Sequence, residues 1–554
     1  MKNKPYPLYD WPSFSTLWEL LSYLADKYEE RQAFRIPVRG KQEDEYKTYR
    51  EFYNDTEALG AWLLNSGVRN DRVAILGENC YNWIVSYFAI ANSGNTALPL
   101  DKELSCEELA RLINLCGCKG VVCSAAYDDY AEYFEENCPD IEVFVVMNEL
   151  GKHIREGAEL IKNGTDLLSG SRPVANNLAA IVFTSGTTGQ SKGVMLSHMN
   201  ISSDALSVCR NTCASGRGIL ILPLHHTFSL TTNVLCELIY GMRIYAITSL
   251  RTIQRDMQKD KTTTAIVVPA VVETMHKRVM ENVEENGKLK KLVKGMKIAE
   301  MLLKIGIDVR KKLFKDVINA FGGELEIIIC GGAALSNKVE EDFRLWGVNM
   351  VCGYGITECS PVACVNRNEY QKSGSIGLPV DCNEVKINDP DKDGVGEIYV
   401  KGSNVFKGYY KNEEENQKAF TADGWFKTGD LGYIDNDGFV FIGGRLKNLI
   451  ILSNGKNVSP EELETKLIDE IPSISEVVVY EEDAALTAEI FPDSEKYRNA
   501  ADIMQEEINS FNRHMPAYKK ITNIKLRDRE FDKTTTMKIK RRYNNRKDDK
   551  NVGI

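Results

Sequence analysis

The apolar run Ala179-Ala180-Ile181-Val182-Phe183 empties directly into Thr184-Ser185-Gly186-Thr187-Thr188-Gly189-Gln190-Ser191-Lys192-Gly193, and no other stretch constrains the chain so tightly. A buried strand that stops at such a loop presents successive backbone N–H groups in a tight turn, with hydroxyl donors and one cation beside them. That combination suits a polyphosphate. The loop is not a Walker A motif, which requires Gly-x-x-x-x-Gly-Lys-Ser/Thr, because Lys192 follows Ser191 and precedes Gly193. The competing reading, a glycine-rich surface turn, is disfavoured because ordinary loops rarely gather so many hydroxyls around a lysine.

At 554 residues the chain has room for about three or four domain-sized units. Its 43% hydrophobic and 27% charged residues are those of a soluble globular protein, and a net charge of −10 argues against a general nucleic-acid binder. The 14 cysteines are scattered: Cys116-Gly117-Cys118 is too tight for a Cys-x-x-Cys site, and no second pair completes a zinc set. Unpaired cysteines point to a reducing interior. The start lacks a secretory h-region, no apolar run reaches the ~18 residues of a membrane span, and residues 551–554 match no targeting address. A cytoplasmic location is the expectation.

Short β-branched runs at 72–76, 120–123, 143–146, 219–222, 265–268 and 325–330 alternate with helical patterns, which predicts βαβ units and largely parallel, buried sheets. After about residue 383, runs at 396–401 and 439–442 separated by Asp-rich turns predict an antiparallel or barrel-like subdomain. The turn Asp389-Pro390-Asp391-Lys392-Asp393-Gly394 starts like an EF-hand loop, but Val400 stands where the bidentate glutamate belongs, so a hairpin is expected and not a calcium site. Ser459-Pro460-Glu461-Glu462 reads as a capping-box helix start, followed by strands at 477–480 and 486–491, a helix around 501–513 and a strand at 521–526. The fold expected is α/β: a large N-terminal domain over 1–446, with the barrel-like part at about 383–446, and a small α+β domain over 447–554.

Residues 288–315 hold ten basic side chains against Glu300 and Asp308, with Met301, Leu302, Leu303, Ile305 and Ile307 as an apolar side. A solvated charged face over the core is the favoured reading; an amphipathic helix lying on an anionic membrane is the alternative.

Three further segments share the chemistry of the first loop. Gly353-Tyr354-Gly355-Ile356-Thr357-Glu358 combines an aromatic face, a hydroxyl and a carboxylate able to hold Mg²⁺. Lys427-Thr428-Gly429-Asp430 offers an acceptor for ribose hydroxyls, and Arg445 a donor opposite it. In this order, ending at Phe531-Asp532-Lys533-Thr534-Thr535-Thr536-Met537-Lys538, the motifs resemble the adenylate-forming (AMP-binding) superfamily of acyl-CoA synthetases, adenylation domains and luciferases, and most of all bacterial long-chain fatty acid–CoA ligases. The resemblance spans nearly the whole chain.

It implies roles position by position. Thr184, Ser185, Gly186, Thr187, Thr188, Gly189 and Lys192 would bind the ATP phosphates, Gly332 and Ala333 would line the adenine pocket, Tyr354 would stack on the base, and Gly355 beside it would belong to the ATP site. Thr357 would contact phosphate, Glu358 would hold Mg²⁺, and Asp430 with Arg445 would bind ribose. Lys447 would be the hinge of a mobile C-terminal domain, and Lys538 would activate the carboxylate and α-phosphate, with Thr184, Lys192 and Glu358 as its catalytic partners. His226 would lie by the acid, with a core or capping role equally open, and Gly455 and Lys456 would flank the coenzyme A tunnel. Three residues depart from the pattern: Ser191 replaces a proline, Cys352 an amide side chain, and Met537 a glycine, where it would crowd the approach and slow adenylation.

Thr227-Phe228-Ser229-Leu230 carries no acid to hold an amino group, which disfavours an amino acid substrate. The insertion around 279–320 resembles that of long-chain acyl-CoA synthetases. The resemblance therefore implies a medium- to long-chain fatty acid, ATP with Mg²⁺, and coenzyme A. The alternatives are carrier-protein phosphopantetheine as acceptor, or a nucleotide-binding pseudoenzyme acting as sensor or scaffold. Retention of Lys192, Glu358, Asp430, Arg445 and Lys538 argues against the pseudoenzyme. Oligomeric state is not legible.

Overall fold

A computed structural model describes residues 8–38, 43–184, 191–246, 250–452, 456–483, 485–493, 501–535 and 537–541. The chain is mixed α/β. One six-stranded sheet runs in the spatial order Val143–Val146, Gly120–Cys123, Arg72–Leu76, Thr96–Pro99, Leu178–Thr184, Lys192–Ser197. Its neighbours are parallel except the last pair, an antiparallel hairpin in which Thr184 faces Lys192. Its strands are buried on both faces, as the near-continuous apolar runs require.

A nine-stranded sheet has a parallel centre of Asn349–Gly355, Ile327–Cys330, Thr264–Val267, Arg217–Leu220, Arg243–Ala246 and Gln32–Ile36. Antiparallel strands finish it at both edges. Two of the expected runs, 219–222 and 325–330, are displaced: the strands are Arg217–Leu220 and Ile327–Cys330. The chain must leave the first before Pro223, which cannot donate to a ladder.

Four strands, Asn383–Asn388, Gly396–Gly402, Phe426–Ile434 and Val440–Arg445, pair in that order as an antiparallel meander. The Asp389–Gly394 turn joins its first two strands, as the hairpin reading requires. Among the described residues the outer strands do not pair with each other, so this sheet stays open rather than closing as a barrel.

Residues 450–526 enclose a core of their own, built from Leu463, Leu467, Val477, Ile490, Ile508 and their neighbours. Helix Pro460–Glu470 packs on the hairpin Ile474–Glu482/Ala485–Pro492, with Asn523–Leu526 added in parallel. The helix begins at Ser459, whose Oγ accepts from the Glu462 N–H at 3.4 Å. The capping box is not completed: the Glu462 carboxylate instead accepts from Lys466 and Lys519, both cations closer to hand than the cap. The expected helix around 501–513 spans Ala501–Arg513.

All fourteen cysteines are free. Among the described residues no helix is long and apolar enough to cross a membrane.

Candidate active site

Both sheets turn the carboxyl ends of their parallel strands toward one cleft, the place where open α/β sheets bind ligands. Four adjacent strands of the larger sheet each contribute the residues that follow them. Arg217–Leu220 leads to His226, Thr227 and Phe228; Thr264–Val267 to Val268, Pro269 and Ala270; Ile327–Cys330 to Gly332 and Ala333; and Asn349–Gly355 to Ile356 and Thr357. These residues line a cavity of ≈ 150 Å³, and Met537 and Lys538 close it from the C-terminal segment. The smaller sheet is tied on by Asn79, whose Nδ2 donates to the Leu222 carbonyl at 2.8 Å while its Oδ1 accepts from the Leu224 N–H at 3.1 Å.

Gly355 is needed for contact rather than flexibility. A Cβ there would sit 1.9 Å from the Pro361 carbonyl oxygen, so any side chain would part the strand from its neighbour.

Asp430 and Arg445 face each other directly across the antiparallel pair Phe426–Ile434/Val440–Arg445, the closest geometry a sheet offers to opposite charges. Arg445 Nε lies 2.9 Å from Asp430 Oδ1, and the Tyr354 hydroxyl donates to Asp430 Oδ2 at 2.5 Å. Burial, then the Asp430 charge, raises the Tyr354 pKa well above the phenol range, so this hydroxyl keeps its proton and serves as a donor.

Glu358 accepts from the Tyr409 hydroxyl at 2.9 Å, and burial raises its pKa above the usual carboxylate value. Among the described residues no three metal-ligating side chains cluster, so a metal here would have Glu358 and non-protein oxygens as ligands. A nucleotide-bound Mg²⁺ has such a shell, one or two carboxylates plus phosphate oxygens and water, and the residues fit it.

Lys192 stands outside the cavity lining. Its ammonium pairs with Glu415 and lies 5.2 Å from the Tyr409 ring, which links it through Tyr409 to Glu358. Of the phosphate loop, Thr184 ends one hairpin strand and Lys192 begins the next; Ser185, Gly186, Thr187, Thr188 and Gly189 lie outside the described residues, as does Gly455. Lys456 lies 4.1 Å over the Tyr518 ring, and Lys447 sits in the single turn Leu446–Asn448 that follows the Arg445 strand.

Lys538 is held by a tight reversal. The Thr534 N–H donates to the Lys538 carbonyl, the Lys538 N–H donates to Thr534 Oγ1, and Lys533 bridges to Ile539 across it. Glu476 anchors the base, accepting from the Phe531 N–H at 2.9 Å and pairing with Lys533 at 2.5 Å. Although Lys538 is exposed as a residue, enough protein surrounds its ammonium that desolvation, then the Arg445 charge, lowers its pKa.

Thr535, in the same reversal, reaches the opposite wall. Its Oγ1 lies 2.8 Å from His226 Nε2 and donates to Asp101 Oδ2 at 3.4 Å. His225 Nε2 comes within 3.6 Å of the same Asp101 oxygen without bonding it. Burial holds the His226 imidazole down at about 3 and His225 at about 4, so both are neutral at physiological pH. A neutral His226 can donate Nε2–H to Thr535, whose own hydroxyl donates a hydrogen bond to Asp101. Thr535→Val removes both bonds at constant shape and is expected to slow reaction in this closed arrangement about 10-fold, with Thr535→Ser restoring it. An unchanged rate for the valine variant contradicts the contact.

Met537 occupies φ 62°, the left-handed region a glycine would take without cost. Its side chain lines the reaction cavity and also a second one of ≈ 190 Å³ behind helix Pro269–Glu285, with Met257, Met275 and Phe321 on its walls. Met537→Gly relieves about 1 kcal/mol of backbone strain and opens the mouth, and is expected to speed the adenylation that the resemblance implies up to about 5-fold. A slower variant would mean the side chain is needed where it stands.

The structure thus gathers His226, Gly332, Ala333, Gly355, Thr357 and Lys538 on one cavity, with Tyr354, Asp430 and Arg445 as one bonded group. Tyr409, Glu415, Thr535 and Asp101 had not been singled out. Thr535 lies within the quoted motif 531–538, and the aromatic pair after Gly408 marks Tyr409, but neither signal names the residue it meets.

Residues 22–410 match the family described as AMP-binding enzyme. A Mycobacterium bovis protein named long-chain-fatty-acid–CoA ligase FadD15 is 30% identical over 78% of this chain and 74% of its own. Mouse long-chain-fatty-acid–CoA ligase 5 is 28% identical over 75% of this chain; the matched region is 66% of the mouse protein, just short of two thirds. An Arabidopsis thaliana protein named long-chain-fatty-acid–[acyl-carrier-protein] ligase AEE15 is 26% identical over 88% of this chain and 77% of its own. Among solved structures, the anthranilate CoA ligase AuaEII in complex with anthranoyl-AMP superposes with a TM-score of 0.75 at 20% identity, covering 97% of both chains.

Proposed function

The chain belongs to the AMP-binding enzyme family, and from that premise we propose that it is an ATP-dependent ligase joining a medium- to long-chain fatty acid to coenzyme A through an acyl-adenylate. The observation that carries the reading is the cavity of ≈ 150 Å³ shared by the ends of four parallel strands, with Lys538 at its mouth. The names of the curated relatives support a fatty acid as substrate.

Asp430 spends one lone pair of each oxygen on Arg445 and Tyr354, which leaves acceptors for ribose hydroxyls. Gly332, Ala333 and Tyr354 would flank adenine. Thr184, Lys192 and the loop between them would hold the β- and γ-phosphates, with Lys192 released from Glu415 when the stronger anion arrives. Mg²⁺, held by Glu358, would supply charge neutralisation on the phosphates.

The acid's carboxylate oxygen attacks the α-phosphorus, a P–O bond forms, and the bond to pyrophosphate breaks. Charge grows on oxygens facing Lys538, whose ammonium stabilises it in a site partly closed to water. A thiol then attacks the carbonyl carbon, loses its proton, and the C–O bond to AMP breaks. Lys538 and the thiol need the same mouth in turn. The Thr535 contact must therefore part, with the 447–554 unit turning at Lys447 and the pantetheine arm entering past Gly455 and Lys456.

The Arabidopsis relative's name favours a second reading, with carrier-protein phosphopantetheine as the acceptor. Incubating the protein with ATP, Mg²⁺ and a chain-length series of fatty acids, with either coenzyme A or holo carrier protein, separates the two. The proposal expects coenzyme A thioesters with an optimum at medium to long chains. Thioester on the carrier alone would replace it with the second reading.

A further inference from the structure

The reaction leaves one built surface without a use. Helix Leu289–Lys304 turns Leu292 and Ala299 into the core beside the helices Pro269–Glu285 and Asn337–Trp346, with Met296 packed against them. Lys290, Lys294, Lys297 and Met301 follow at helical spacing on the opposite side, all exposed. Ion pairs in the segment are confined, among the described residues, to Lys304–Glu300, Arg310–Asp308 and Lys311–Glu326, so none holds Lys290, Lys294 or Lys297.

A merely solvated face would not expose large apolar side chains as well. Here Met301 is 62% exposed, Ile305 68% and Ile307 49%, clustered where the helix ends. Lysines beside an unburied apolar edge match a bilayer, with charge at the headgroups and hydrocarbon below them. An acidic protein would satisfy the lysines but would need a pocket for each apolar chain; fluid acyl chains need none. The whole chain carries −10, so only a local basic patch could bring it to an anionic surface, and in one orientation.

We propose that residues 288–307 dock peripherally on an anionic lipid bilayer, with Lys290, Lys294 and Lys297 against the headgroups and Met301, Ile305 and Ile307 at the acyl boundary. This surface is separate from the adenylation site and stands whether or not the acyl substrate is a fatty acid.

The test is co-sedimentation of the full chain with phosphatidylcholine vesicles made with and without phosphatidylglycerol, at low and high salt. Binding is expected only with phosphatidylglycerol and should weaken with salt. Lys290→Gln, Lys294→Gln and Lys297→Gln together should weaken partitioning on the order of 100-fold. Met301→Gln with Ile305→Gln should weaken it on the order of 10-fold. Unchanged circular dichroism and melting temperature would show that the variants fold. No vesicle binding, equal binding without phosphatidylglycerol, or folded variants that bind like the parent would overturn the proposal. So would capture of a purified acidic carrier protein through these lysines without vesicle binding, which would make the patch a protein interface.

Discussion

Lys538→Ala will lower the adenylation rate about 10³-fold and leave thioester formation from a supplied acyl-adenylate largely intact. The ammonium sits at the mouth of the cavity on a reversal anchored by Glu476, so its removal deletes a charge without loosening the segment. Burial and Arg445 hold the Lys538 pKa below that of a free lysine. The group is charged below that pKa and neutral above it, so adenylation kcat/KM falls as pH rises through it, earlier than for an unperturbed lysine. Lys538→Arg, with its charge fixed, should move that limb to higher pH even if the longer group costs rate. Rate profiles of the two half-reactions measure both effects. Equal loss in both half-reactions for the alanine variant would contradict the exchange of Lys538 for the thiol.

Glu358→Gln should reduce adenylation by about 10²- to 10³-fold and raise the Mg²⁺ concentration needed for half-maximal rate. The amide oxygen can still accept from Tyr409, so the fold is expected to survive and the melting temperature to hold. Burial raises the Glu358 pKa, and the group holds a cation only when ionised. The parent should therefore lose activity as pH falls through a value above the usual carboxylate range, and the glutamine variant should lose that acid limb. An unchanged Mg²⁺ requirement would show that the cation sits elsewhere.

The parallel sheets were legible because their strands are short, β-branched and buried on both faces. For Asp430 and Arg445 the residues alone gave only a weak acceptor and donor and the resemblance paired them; the register of two antiparallel strands places them face to face. Strand ends slipped by two residues where the chain prepares for Pro223. Other contacts left no local trace. Tyr409 and Glu358 are 51 residues apart, Lys192 and Glu415 are 223 apart, and His226 and Thr535 are 309 apart. Each such contact depends on how segments far apart in the chain meet, which periodicity does not encode. Met537 was expected to crowd the site as a large side chain in place of a glycine; its backbone at φ 62° supplies the reason a glycine suits that position. For 288–315 the favoured reading, a charged face over the core, accounts for Leu292 and Ala299 but not for exposed Met301 and Ile305.

Acid-dependent exchange of labelled pyrophosphate into ATP tests the adenylation site most directly, because it requires the α-phosphorus step and no thiol. With a panel of carboxylic acids, exchange should appear with medium- to long-chain fatty acids, require Mg²⁺, and vanish in Lys538→Ala. Absence of exchange with every acid, while ATP still binds, would contradict the account and leave a nucleotide-binding protein that does not adenylate.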